Sequence, residues 1–471
     1  MKGLPEDWIA SHSSDDGSPI EVTTNSPDFL PFQTYCERED LRQKLYTEYM
    51  QRGYPANKAI LTELLTLRHE FSNLLNFSSW AAYNAADKMV KTSERVAAFI
   101  EELATIVRPH SARDLEALLA AKRQDSPDAA RIEVWDRFYY QSRVRAQSHG
   151  FDAREARPYF PYPQVKAGLM DLYSELFGLG FRALPDEPTW HESVGAYALL
   201  KDGQEIARFY LDMHPRDGKY KHAAMFGIHT GLTGQQLPMA SLVCNFPNPA
   251  EGDALMEHRQ VQTFFHEFGH LLHHLLARHS SWVNLGGINV EWDFVEAPSQ
   301  ILEEWAWSPE VLSRFARHVE TGEVIPTALV ERMRNSEEFG KGAHLMRQLF
   351  YTAFSYFLHS GDPSDLELDS FTDEIYAKYS PYPRLDGGRV YASFGHLIGY
   401  SSMYYTYQWS LVIAKDLFTR FEEAGIMNGT VAREYIDKIL VPGGERDADE
   451  LVEDFLGRPY NLDAYRRWLD R

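Results

Sequence analysis

The chain has 471 residues, 44% of them hydrophobic and 13% aromatic, which is ample for a large core. A formal net charge of −21 excludes the basic surface that nucleic-acid binding demands, and no stretch approaches the roughly 18–20 apolar residues of a membrane span. The N-terminus has no signal-peptide apolar core, and the two cysteines, Cys36 and Cys244, lie in unrelated segments, so the expectation is a cytoplasmic protein with reduced thiols.

In chain order, the polar segment Ser11 to Ser18 reads as a loop between an N-terminal helix and a strand. Apolar spacing predicts helices over Asp40 to Phe71, Thr92 to Leu119 and Val165 to Phe177. Glu205 to Met213 and Met239 to Phe246 read as strands separated by loops rich in Gly and His. Met239 to Phe246 is a plausible sheet edge for an extended peptide, and Arg216-Asp217-Gly218-Lys219 reads as a turn. Helical patterns resume over Ile325 to Leu358, Gln408 to Phe421 and Thr430 to Ile439. The expected fold is mainly α with a small β-sheet: residues 1–185 mostly helical, 186–250 a small sheet, 251–471 helical. Length alone allows about three domains. The motifs described next have to converge on one metal, so 1–471 reads as one catalytic region with two lobes around a deep cleft.

The most informative segment is His266-Glu267-Phe268-Gly269-His270. On a helix, residues four apart share a face, so the two imidazoles can close on one metal ion while the glutamate reaches a water on it. Phe264, Phe265, Phe268, Leu271, Leu272, Leu275 and Leu276 make an apolar stripe, and histidines buried in such a helix are costly without a metal or other partner. A third ligand is needed, and Glu296, 26 residues after His270, is the best candidate. A turn through Gly286-Gly287 leads to it, with Asp293 as an N-terminal carboxylate and Pro298 in the first helical turn. Glu303, seven residues further on, shares its face and either orients a histidine or faces solvent. Glu304 reads as a solvent-facing acid, and His273 and His274 as packing groups or groups that support the ligands, not as ligands themselves.

With Phe294-Val295-Glu296-Ala297-Pro298-Ser299-Gln300, this motif resembles the M3 family of zinc oligopeptidases. The resemblance extends through Met1 to Trp8, Leu64 to Arg68, Lys91-Thr92-Ser93, Arg216 to Tyr220, Cys244-Asn245-Phe246 and Pro442-Gly443-Gly444, and so spans essentially the whole chain. It implies a zincin-type metallopeptidase with one Zn2+ held by His266, His270 and Glu296, and with Glu267 as the base that activates water. The His270 to Glu296 spacing is about one residue longer than in animal members, which an extra loop residue near Gly286-Gly287 accommodates.

Downstream, Ser393 to Tyr400 has the glycines of a mobile loop, followed by Tyr404 and Tyr407, so that Tyr400, Tyr404 and Tyr407 fall at helical spacings of four and three. Read alone, these tyrosines are an aromatic core stripe or phenol donors to an oxyanion. The family resemblance makes His396, Tyr400, Tyr404 and Tyr407 substrate-binding residues, with Tyr407 and then His396 stabilising the oxyanion. The family pattern usually has two adjacent glycines where this chain has Gly399 alone. Expected partners are short unstructured peptides, with a monomer or weak self-association. Members also carry a helical segment before the position matched by Met1. Its absence implies a more open cleft and apolar surface available to a partner chain. A zinc-containing peptide-binding protein, or a fragment that needs a separate N-terminal chain, is the alternative. Endopeptidase and dipeptidyl-carboxypeptidase members share these motifs.

Overall fold

The computed structural model describes residues 2–5, 8–9, 12–13, 20–149, 153–278 and 280–471. Apart from residues 12–13, the expected Ser11 to Ser18 loop lies outside them. The next element is not a strand but the helix Ser26–Tyr35. The chain divides into two compact units, Met1–Gly150 with Asn335–Tyr405, and Phe151–Arg334 with Thr406–Arg471.

The first unit is helical. The expected Asp40 to Phe71 helix is two, Glu39–Met50 and Ala56–Leu74. Gly53 takes φ +76° between them, and Pro55 has no N–H to continue the ladder. The 33-residue helix Ser93–Asp125 starts at Thr92, whose side chain accepts from the Arg95 N–H. Its Val96, Phe99, Ile100, Leu103 and Val107 form one buried stripe and the helix packs on Lys341–Phe357. At Gly342 the two backbones approach so closely that a Cβ would lie 2.5 Å from the His110 carbonyl carbon. The expected Ile325 to Leu358 helix is interrupted just before this, at Gly340 with φ +83°.

The second unit carries a five-stranded sheet, β1 Leu179–Ala183, β2 Gly195–Lys201, β3 Gln204–Asp212, β4 Ala224–His229 and β5 Met239–Val243, in the order β1-β2-β3-β5-β4. β3 and β5 pair in parallel and the other neighbours are antiparallel. The sheet starts at Leu179, before the expected 186. The expected edge at Met239 to Phe246 is corrected: β5 lies between β3 and β4, and the edge strands are β1 and β4. β4 contains a glycine and reads Ala-Met-Phe-Gly-Ile-His, with four exposed residues, so it lacks the buried alternation that marks a strand in sequence. The expected turn at Arg216 to Lys219 is held from the end of β3. Asp212 accepts two bonds from Arg216, at 2.6 and 2.8 Å, and one from Trp190 at 2.9 Å. The buried Lys219 ammonium donates to the carbonyls of Asp212, His214 and Cys244.

One face of the sheet is covered by the helix His258–Leu276. Phe268 is its hub, with ring centroids 5.4 Å from Tyr173, 5.8 Å from Phe181 and 6.1 Å from Phe209. Among the described residues no helix is long and apolar enough to cross a membrane.

Two buried histidines carry a pH signature. His273 is fully buried, and among the described residues its ring nitrogens have no hydrogen-bond partner. Burial drives its pKa down to about 3, and does the same for His359. Both rings stay neutral in the fold while the unfolded chain takes up protons below about 6.5. Their contribution is therefore complete above 6.5 and is lost as pH falls toward 3. Between pH 6.5 and 5 this amounts to about 2 kcal/mol per histidine, so the urea midpoint is expected to be clearly lower at pH 5 than at pH 7.

Candidate metal centre

The motif helix starts at Glu257, whose side chain caps the Gln260 N–H while Gln260 caps Glu257 in return. Phe268 turns toward the sheet, which leaves His266 and His270 on the opposite face, ring centroids 5.0 Å apart. Gly269 faces the short helix Ala297–Leu302, and a Cβ there would lie 2.8 Å from the Ser299 Cα and 3.1 Å from the Pro298 oxygen. The missing side chain lets the second helix close onto the first. Glu296 stands at the start of that second helix, where Pro298 occupies an early position that needs no N–H. The Ser299 hydroxyl bonds the Glu296 carbonyl at 2.9 Å and its carboxylate at 3.2 Å.

The result is a three-donor cluster. Glu296 Oε2 lies 3.2 Å from His266 Nε2 and 3.2 Å from His270 Nε2. A tetrahedral centre with bonds of about 2.05 Å has donor-to-donor edges of about 3.3 Å, so the donor set fits such a metal. His266 Nδ1 is 2.6 Å from Glu303 Oε1, and Glu303 Oε2 accepts from Gln262 Nε2 at 2.5 Å. This carboxylate selects the tautomer that leaves Nε2 free for a metal. Glu303 lies in a 3₁₀ turn, Glu303–Trp307, not on the continuing α-helix expected from its spacing, and still reaches His266. Glu304 is paired with Lys415.

The electrostatics favour positive charge between the acids. Burial alone would lower the His266 pKa, but hydrogen bonds and charge from Glu296 and Glu303 outweigh it and hold it well above the usual imidazole value. Burial opposes ionisation of Glu296 too, yet the two histidines hold it well below the carboxylate range. Glu267 is 8% exposed and burial raises its pKa. The Met225 N–H of β4 bonds its carboxylate.

The remaining predicted residues divide between the two units. Tyr407 is half-buried at the start of Thr406–Ala424, in the same unit as the cluster. That helix is tied to the segment before Glu296 by the Ser410 hydroxyl, 2.7 Å from the Asp293 carbonyl. Asp293 is fully buried, and the residue that takes the N-cap position of the helix is Glu296. His396, Tyr400 and Tyr404 belong to the other unit. The helical spacing expected for Tyr400, Tyr404 and Tyr407 is corrected: the helix His396–Gly399 ends before Tyr400, Ser402 takes φ +60°, and the next helix starts only at Thr406. Tyr404 packs among Tyr351, Phe394 and His396, and its hydroxyl bonds Gln348 Oε1 at 2.9 Å. His274 packs as expected, its Nε2 3.0 Å from the His229 carbonyl. Sequence reasoning missed Gln262, although its place four residues before His266 was a usable signal. It missed the Met225 contact, for which the sequence carries none.

Residues 32–470 match Peptidase family M3. Oligopeptidase A of Escherichia coli (strain K12) is 34% identical over 487 residues, covering 98% of this chain and 71% of that protein. Saccharolysin of Saccharomyces cerevisiae (strain ATCC 204508 / S288c) is 30% identical over 500 residues, covering 100% and 70%. Among solved structures, PZ peptidase A with inhibitor 2 shares the fold at a TM-score of 0.57 and 15% identity, covering 94% of this chain and 70% of that one. The family match and the relatives define a metallopeptidase. The chain belongs to peptidase family M3.

The contact at Gly269 is directly testable. Gly269→Ala has to push the Glu296-bearing helix outward, at a cost of about 1–3 kcal/mol. Metal affinity, read by competition with a chromogenic chelator, is expected to fall roughly tenfold or more as the donor triangle opens.

Proposed function

We propose that this chain is a zinc-dependent endopeptidase that hydrolyses peptide bonds in short, unstructured oligopeptides. The observation that carries the reading is the triangle of His266 Nε2, His270 Nε2 and Glu296 Oε2, with Glu296 3.2 Å from each histidine. His266, His270 and Glu296 would hold the ion, and Glu303, steadied by Gln262, would keep His266 oriented. When bound, zinc supplies Lewis acidity and a water of near-neutral pKa.

The protein groups then divide the work. Glu267 takes the proton of the attacking water and returns it to the departing amine. Its raised pKa, caused first by burial, brings it closer to neutrality and suits both transfers. β4, an outermost strand of the sheet, would offer main-chain groups to an extended peptide, beside the Met225 N–H that already holds Glu267. Tyr407 is the proposed donor to the oxyanion, with His396 as a second. His396, Tyr400 and Tyr404 are proposed to contact substrate, which rests on the family resemblance. Residues 1–471 are taken as one catalytic region, and a cytoplasmic setting fits the free, buried Cys36 and Cys244.

Glu267→Gln preserves size and hydrogen bonding but cannot accept the proton. Turnover of a quenched-fluorescent peptide is expected to drop by about 10³-fold or more, with zinc content equal to the parent protein. Retained turnover would remove Glu267 from its role.

A further inference from the structure

Within the unit Met1–Gly150 with Asn335–Tyr405, the segment that carries His396 and Tyr400 is held by a buried arginine. Arg68 lies on the helix Ala56–Leu74, on the face that also buries Leu61 and Leu65. Its guanidinium donates to two consecutive carbonyls, to Leu397 from Nη1 at 2.7 Å and to Ile398 from Nη2 at 2.8 Å. Nη1 also lies 3.0 Å from His359 Nε2. His359 Nδ1 is 2.8 Å from the Ser355 carbonyl, to which it can only donate, so Nε2 is left as an acceptor for the arginine. Burial keeps this imidazole neutral, as that pairing requires.

Among the described residues no carboxylate pairs with Arg68. Burial alone acts on its charge and lowers its pKa to about 10, so it stays a cation at neutral pH. A desolvated cation without a counter-ion is costly, and here carbonyl dipoles offset that cost. The helix His396–Gly399 is a single turn, whose last carbonyls find no partner inside it. A cation at a helix C-terminus is favoured, and charge-assisted bonds are roughly twice as strong as neutral ones. Gly395 and Gly399 have open space where a Cβ would stand, and Ile398 is 65% exposed. Packing at these three positions therefore does little to fix the turn, and the bonds from Arg68 do. The next two residues are held by the helix Trp80–Ala85. Trp80 Nε1 donates to the Ser401 hydroxyl at 2.9 Å, and Asn84 Nδ2 to the Ser401 carbonyl at 3.2 Å and the Ser402 hydroxyl at 3.0 Å. The Trp80 ring centre is also 5.3 Å from the Arg68 guanidinium carbon.

We propose that Arg68 is a positioning residue for the peptide substrate: it fixes the backbone of Leu397 and Ile398, and through it the orientation of His396 and Tyr400 on either side. The inference rests on the substrate-contact reading of those two residues above and deepens it. An anchored turn replaces the mobile loop expected from the glycines. His396 and Tyr400 face each other with ring centroids 5.8 Å apart, an arrangement set by the turn between them. Arg68 acts through the backbone it holds and is not itself a catalytic residue.

The experiment pairs a kinetic readout with one that needs no turnover. Arg68→Met removes both charge and fork, while Arg68→Lys keeps the charge and loses the fork. In the zinc-loaded protein, KM for a quenched-fluorescent peptide is expected to rise about tenfold in Arg68→Met, with kcat falling by less, and Arg68→Lys to lie between it and the parent. A mere loss of folded protein would lower kcat and leave KM alone. Hydrogen exchange of the backbone amides over residues 396–403 is expected to speed up roughly tenfold or more in both variants, with the helix Ser93–Asp125 unchanged. Arg68→Lys carries both readouts if Arg68→Met folds poorly. Unchanged exchange over 396–403 overturns the proposal whether or not the protein cleaves peptide, and faster exchange with an unchanged KM overturns the link to substrate. A parent protein that cleaves nothing removes the peptidase reading instead, and the exchange measurement still decides the anchoring.

Discussion

The candidate metal centre depends on how closely two helices approach at Gly269. Any side chain there would meet the backbone of Ser299 at 2.8 Å. With hydrogen in its place, the helix that begins at Glu296 lies against the motif helix, and its carboxylate reaches 3.2 Å from both imidazoles. Phe268 makes the complementary contact on the other side, where Tyr173, Phe181 and Phe209 hold the helix to the sheet. The two residues between Glu267 and His270 thus fix the helix in two directions, and the histidines point where neither contact is made.

The same packing sets the chemistry of the acids. Glu296 sits between two imidazoles and stays ionised, while Glu267, buried beside β4, has its pKa raised. Two carboxylates beside the same histidines are pushed in opposite directions by their surroundings. β4 also approaches the motif helix through a glycine, Gly227, where a Cβ would lie 2.7 Å from the His274 ring. The edge strand, the buried Glu267 and the helix are therefore one packed assembly.

Much of this was legible in the sequence. Residues four apart on an apolar helix identified His266 and His270, and the carboxylate before Ala297-Pro298 identified Glu296, because helical geometry and a Pro-marked helix start are local properties. Helix interruptions at Gly53 and Gly340 were not seen, because the apolar period continues on either side of each break. β4 reads as a loop in the sequence because its residues are mostly exposed and carry no burial alternation. The aromatic run at 400–407 looked helical by spacing, and the positive φ at Ser402 overrode it.

The central claim is that one zinc ion, held by His266, His270 and Glu296, makes this chain a peptidase. The most direct measurement is cleavage of a quenched-fluorescent peptide of about ten residues by purified protein, before and after chelation, with bound zinc counted in parallel. The account predicts one zinc per chain, loss of cleavage on chelation and its return with stoichiometric zinc. Cleavage that is indifferent to metal removal, or zinc-loaded protein that cuts no peptide, would contradict it.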